Sequence, residues 1–201
     1  MTFKKFCVII KTKKYEGGIC LNSKTVVINV FGEPSAGKSV LSARIFTLLK
    51  CIGYNVEYLQ EFAKQKLYEH ADKVFTCEPY IFAKQLFRQQ VISDDVDIVV
   101  TDSPILLPPF YEYNEKKKKI LFDLALYYFY DFNNINIFCK RTHKYQNEGR
   151  FQTEEESNII SKNIMNFLIE QHIPFDIMPS NITDEQLLEW LKKELDFNDD
   201  D

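Results

Sequence analysis

Hydrophobic positions along this chain switch between an unbroken or two-residue pattern and a helical one, and the switches order its elements. Residues 25–31 (TVVINVF) are a continuous, mostly β-branched run, as a strand buried on both faces requires. Residues 39–51 then place Val40, Leu41, Ile45, Leu48 and Leu49 at helical spacing, and Gly53 closes that helix. Residues 55–59 (NVEYL) alternate as a second strand, and residues 61–71 predict a helix. A further helix is predicted over 78–93, with Pro79 in its first turn and Ile81, Phe82, Leu86 and Phe87 on one face. Residues 97–101 (DIVVT) read as a third buried strand, after which Pro104, Pro108 and Pro109 break the chain. A long helix over 116–131 and a fourth strand over 136–139 (NIFC) follow. Thr153 with Glu156 three residues on predicts a capping box for a helix that runs to about residue 171. Residues 175–178 are the fifth predicted strand, and Thr183 with Gln186 opens a final helix ending at residue 195.

Strands alternating with helices imply right-handed crossovers, hence an α/β domain with a parallel sheet covered by helices on both faces. Residues 1–24 stand outside the alternation; their apolar runs at 6–10 and 19–21, joined through Gly17 and Gly18, predict an extra hairpin. Residues 196–201 are acidic and predict a disordered tail. The chain thus divides into an extension (1–24), one domain (25–195) and a tail.

Composition narrows the classes. A length of 201 residues supports one domain with a real core but not two ordinary ones. Lys+Arg 25 against Asp+Glu 29 leaves a net charge of −4, which argues against coating nucleic acid by total charge while leaving room for a local basic groove. Five scattered cysteines without a CxxC pair read as free thiols of a reducing compartment. The most apolar long stretch, 120–130, contains Asp123 and is too short to cross a bilayer. With no leader pattern at the start, the expectation is a cytoplasmic protein without a membrane partner. Abundant Phe, Tyr, Asn, Lys and Ile fit an AT-rich genome such as a phage's, which would put the protein in the host cytoplasm.

The chemistry concentrates after the first strand. Gly32-Glu33-Pro34-Ser35-Ala36-Gly37-Lys38-Ser39 matches G-x-x-x-x-G-K-[ST], the phosphate-binding loop of P-loop NTPases. Backbone N–H groups must reach phosphate oxygens, so the tight positions Gly32 and Gly37 carry no side chain. The helix that starts there aims its positive end at the anion. Lys38 supplies a mobile cation for the β and γ phosphates, and Ser39 a hydroxyl for Mg²⁺. Ser35, Ala36 and Val40 complete the predicted nucleotide contacts. Asp102 ends the third strand, where carboxylates of a parallel sheet face the ligand crevice, and is the candidate second Mg²⁺ ligand.

Glu61, just past the second strand, suits a general base or an orienting group for an attacking hydroxyl. On the helix over 78–93, Gln85 can read a base or amide edge and Arg88 can hold a phosphate. Residues 140–150 pack Lys140, Arg141, His143, Lys144 and Arg150 into a basic lid. Arg141 and Arg150, then Lys144, are its candidates for neutralising charge on a transferring phosphoryl group. Lys116 to Lys119 read as a wet helix start, and Tyr127, Tyr128, Phe129 and Tyr130 as core or interface rather than a stacking platform.

In order, GEPSAGKS, EFAK, YIFAKQLFRQ, TDSP and the basic stretch leading into GRFQTEEES resemble the small P-loop kinases typified by the nicotinamide-riboside kinase domain. That group includes phage ATPase-like proteins and the phage 5-hydroxymethyluracil DNA kinases. The resemblance spans about residues 25–195 and implies a five-stranded core in the order 2-3-1-4-5. It also implies the nucleotide and metal roles for Lys38, Ser39 and Asp102, and, through the looser EFAK match, the acceptor role for Glu61. Where such kinases often show Asp-Arg-Ser, this chain has Asp102-Ser103-Pro104.

The expected activity is transfer of the γ-phosphoryl group of ATP, with Mg²⁺, to a hydroxyl of a nucleoside, a nucleotide or a hydroxymethylated DNA base. The alternative is a regulatory NTP-binding module or a slow ATPase without an acceptor. A GTP switch is disfavoured because no Asn-Lys-x-Asp segment occurs.

Overall fold

A computed structural model describes residues 25–93, 95–146 and 153–195. The predicted hairpin in 1–24, Arg150 and the acidic tail lie outside the described residues. The strands are β1 (Val26–Phe31), β2 (Val56–Leu59), β3 (Ile98–Thr101), β4 (Asn133–Lys140) and β5 (Asp176–Pro179). All pair in parallel, in the order β2-β3-β1-β4-β5, as the resemblance implied. The helices are α1 (Lys38–Cys51), α2 (Phe62–Tyr68), α3 (Glu78–Ser93), α4 (Glu115–Phe129), α5 (Glu154–Glu170) and α6 (Asp184–Glu194).

Successive strand residues point to opposite faces, so the apolar runs feed two cores. Ile28, Val30, Ile98, Val100, Ile137 and Cys139 pack against Leu41, Ile45 and Leu49 of α1 and Leu187 and Leu191 of α6. On the other face Phe31 and Phe138 meet Phe82 and Leu86 of α3, with Leu121 and Phe129 of α4 and Ile164 and Leu168 of α5. Each such large side chain contributes about 1.5–3 kcal/mol on burial. The capping boxes at Thr153–Glu156 and Thr183–Gln186 both form. Of the four aromatic residues flagged near the end of α4, Phe129 is core, while Tyr127 and Tyr130 remain half exposed.

Two boundaries differ from expectation. Strand β4 begins at Asn133, three residues early, because its asparagines are used inside the sheet. Asn29 of β1 donates to Asn134 Oδ1 at 2.8 Å and Asn136 Oδ1 at 3.1 Å. Three same-face positions thus form a polar strip that apolar patterning cannot reveal. Helix α2 stops at Tyr68 because His70 turns left-handed (φ 53°), and a 3-10 turn over Asp72–Thr76 leads to α3. No helix among the described residues is long and apolar enough to cross a membrane.

Candidate active site

The chain crosses to one side of β1 for β2 and to the other for β4, so a crevice opens at the carboxyl ends of these strands. The loop 32–39, Glu61, Asp102 and Arg141 all follow strand ends on that edge. In the loop, Gly32 has φ 140° and Gly37 φ 93°. A Cβ on Gly32 would stand 2.8 Å from the Cys139 carbonyl oxygen, and one on Gly37 2.9 Å from Ser180 Cβ. Both glycines are therefore required by backbone conformation and by close packing. Gly37 is the N-cap of α1 and offers no side-chain cap, which leaves the first-turn amides to an anion.

The rest of the loop is braced from outside. Ser157 Oγ of α5 donates to the Pro34 carbonyl at 2.8 Å, and the Gln146 amide donates to Ser35 Oγ at 3.1 Å. Cys139 Sγ donates to the Ala36 carbonyl at 3.2 Å; burial pushes this thiol up to about 12, so it stays a protonated donor. Lys38 Nζ donates to the carbonyls of Gly32 (2.9 Å) and Glu33 (3.0 Å), arching over the loop it belongs to. Val40, in the first turn of α1, is exposed.

Asp102 sits one residue past β3 and is 3% exposed. Its Oδ2 accepts from the Tyr58 hydroxyl at 2.9 Å and its Oδ1 from the Glu61 amide at 3.1 Å. The Tyr58 hydroxyl also lies 3.4 Å from the Ser39 carbonyl oxygen. One phenol thus ties the end of β3 to the first turn of α1. Burial, then the Asp102 charge, raise the Tyr58 phenol above its ordinary value and keep it protonated. Tyr58 is legible only from strand alternation, which turns it toward α1, where its ring lies 6.2 Å from that of Phe46.

Among the described residues no three His, Cys, Asp or Glu side chains converge as a metal cage. One carboxylate and one hydroxyl at the phosphate loop nevertheless fit Mg²⁺, which keeps waters and takes phosphate oxygens rather than an all-protein shell. The Tyr58 phenol holds Asp102 Oδ2 beside the Ser39 backbone carbonyl, so this carboxylate and the Ser39 residue lie close together at the loop.

The acceptor-side candidates divide. Glu61 is half-buried at the N-cap of α2, but its side chain makes no cap hydrogen bond. Gln85 is turned inward, 1% exposed. Its Oε1 accepts from the Phe62 amide at 3.3 Å and its Nε2 donates to Thr101 Oγ1 at 3.4 Å. Its amide therefore joins α2 to the end of β3 instead of lying open to read an edge. Arg88 donates to the Gln60 carbonyl at 3.0 Å, bracing the exit of β2 rather than standing free for a phosphate.

Arg141 lies against the phosphate loop. Its Nε is 4.0 Å from Glu33 Oε1, its Nη2 donates to Asn158 Oδ1 at 2.6 Å, and its guanidinium stacks 5.2 Å from the Tyr145 ring centre. Its Nη1 is buried with no hydrogen-bond partner among the described residues. Lys144 is exposed on the same loop, and Lys116, Lys117 and Lys119 are exposed at the start of α4.

Patterning did not single out Glu33, Glu78, Tyr111 or Glu112, since an acid before Pro79 reads as an ordinary helix start. Glu78, the first residue of α3, is 8% exposed, and burial, then Glu112, push its carboxyl up to about 7. The folded protein therefore holds this proton more tightly than the unfolded chain does. The associated stability is complete below the ordinary glutamate range and is lost as pH rises through about 7. Glu78→Gln, which removes the late ionisation, is expected to stabilise the fold at pH 8 by on the order of 2 kcal/mol, or roughly 5 °C in Tm, and to change little at pH 4.5. Thermal denaturation at the two pH values checks this; an equal shift at both would remove the ionisation as its cause.

The sheet order, and the glycine-bounded loop between β1 and α1, define a P-loop α/β fold. No family model matches the chain, and no curated protein sequence does. Solved structures do match. Deoxyadenosine kinase from M. mycoides with bound dATP superposes with a TM-score of 0.54 at 17% identity, over 85% of this chain and 100% of that one. The same enzyme with dCMP and a flexible dCDP gives 0.53 at 18%, over 85% and 98%. NadR in complex with NAD and AMP-PNP gives 0.62 at 17%, over 90% of this chain and 52% of that one. What the chain shares with these proteins at such identities is the fold.

Proposed function

We propose that this chain is an ATP- and Mg²⁺-dependent kinase that transfers the γ-phosphoryl group to a hydroxyl of a nucleoside, a nucleotide or a hydroxymethylated DNA base. The observation that carries this reading is the position of Asp102. Its two oxygens join the phosphate-loop helix, through Tyr58 and Ser39, to the Glu61 backbone. Donor-side and acceptor-side groups therefore meet at one carboxylate. The adenine nucleotides in two of the matching structures support ATP as donor.

In this mechanism the loop amides of residues 32–39 and Lys38 hold the triphosphate. Ser39 and Asp102 would hold Mg²⁺, which would supply positive charge against the polyphosphate. Glu61 orients the acceptor hydroxyl and takes its proton as the oxygen bonds to phosphorus and ADP departs. Arg141, whose Nη1 has no hydrogen-bond partner among the described residues, offers charge to the equatorial oxygens; Lys144 and Arg150 are the further basic groups of that loop.

With γ-labelled ATP and Mg²⁺, label is expected on an acceptor hydroxyl. Release as inorganic phosphate at the same rate with and without any acceptor would instead identify a slow ATPase.

A further inference from the structure

One acid of the phosphate loop is turned toward α5. Glu33, the residue after Gly32, is 5% exposed. Its Oε2 accepts from Ser161 Oγ of α5 at 2.8 Å, and its Oε1 lies 4.0 Å from Arg141 Nε. The phosphate-loop pattern asks for no acid at this position. A carboxylate carried there opposes the charge of the polyphosphate the loop would hold, and its burial is costly unless it is paired. Among the described residues, Arg141 is the cation paired with it and offsets both effects.

Arg141 is in turn held on several sides. Its side chain is 12% exposed. Its Nη2 donates to Asn158 Oδ1 at 2.6 Å and lies 3.5 Å from Glu154 Oε1, and the Tyr145 ring centre is 5.2 Å from the guanidinium. Its Nη1 is buried with no hydrogen-bond partner among the described residues. Glu154, Ser157, Asn158 and Ser161 lie on one face of α5, and Ser157 Oγ donates to the Pro34 carbonyl at 2.8 Å. That face therefore holds the loop backbone, the Glu33 carboxylate and the arginine together. A guanidinium is a planar fork, so fixing Nε and Nη2 also fixes the direction of Nη1. The rotamer freedom of this long side chain is given up on folding rather than during transfer.

We infer that Glu33 is a positioning residue: with Ser161 and Asn158 it sets the Arg141 guanidinium beside the phosphate loop, with Nη1 left to meet the transferring group. This rests on the kinase reading, in which Arg141 offers charge to the equatorial oxygens. Glu33 itself takes no part in the chemistry. Its loss is felt where Arg141 acts, in kcat, and not as weaker ATP binding, because removing an acid from the loop favours the polyphosphate.

Glu33→Gln keeps the size of the side chain and an oxygen for Ser161, but removes the charge that faces Arg141. It should lower kcat about tenfold with the ATP KM unchanged or lower. Ser161→Ala, which releases the carboxylate without touching Arg141, should lower kcat by a smaller factor, roughly threefold. In an Arg141→Ala background Glu33→Gln should change kcat by less than about twofold, because the group it positions is gone. An equal loss in both backgrounds, or a loss confined to the ATP KM, would reduce Glu33 to a brace of the loop and overturn the inference. Arginine labelling by phenylglyoxal, mapped by mass spectrometry, reads the same contact without turnover. Glu33→Gln should raise the labelling rate of Arg141 several-fold, with Arg44 and Arg88 as unchanged internal references. Equal labelling of Arg141 in wild type and Glu33→Gln would also overturn it. If wild type transfers phosphate to no acceptor, the kinase reading falls, and the labelling alone decides whether Glu33 positions the guanidinium.

Discussion

Lys38→Ala is expected to lower phosphoryl transfer by roughly 10³-fold or more while the far-UV circular dichroism keeps its α/β signature. The Lys38 ammonium spans the two loop carbonyls of Gly32 and Glu33, so it stands over the bend whose amides would face the β and γ phosphates. Removing it deletes the one cation carried by the loop 32–39 itself, at the place where charge builds during transfer. The lost pair of hydrogen bonds costs stability as well, by about 1–3 kcal/mol. Rate and melting temperature therefore need to be measured on the same preparation. Transfer within a few-fold of wild type in a folded variant would refute the donor-site assignment.

Glu61→Gln is expected to reduce kcat by roughly 10²-fold or more with the ATP KM nearly unchanged. The amide keeps the size and hydrogen-bonding reach of the side chain but cannot accept the hydroxyl proton. The Glu61 backbone amide, which donates to Asp102 Oδ1 at 3.1 Å, is untouched by the substitution, so the metal-side carboxylate keeps its partner. Single-turnover transfer rates over pH check the role. A loss of only a few-fold, uniform with pH, would reduce Glu61 to a residue that shapes the entry of α2.

The features legible in the sequence are those whose causes lie within a few residues. The phosphate loop is one, because Gly32 and Gly37 answer to the local path of the bend. The capping boxes at Thr153 and Thr183 are two more, since each closes over three residues. The apolar runs at β1 and β3 announced a buried parallel sheet, because strands covered on both faces cannot alternate. The strand order came from the family resemblance rather than from periodicity, and pairing confirms it.

Other features were set by partners far along the chain. Gln85 looked like a reader of substrate edges, yet Thr101 and the Phe62 amide engage both ends of its side chain. Asn134 lay outside the predicted strand, which began at Asn136, yet Asn29 donates to both asparagines within the sheet. Arg141 read as a free lid cation, whereas Glu33 and Asn158 hold it against the loop.

By itself, then, the sequence determined that this is an α/β protein with a phosphate-binding loop, because hydrophobic period, helix caps and glycine turns are short-range physics. Only the tertiary structure decided which acids and bases face one another. Tyr58, Glu78, Tyr111 and Asp102 come from separate segments of the chain, and their burial and charge environment exist only once those segments pack.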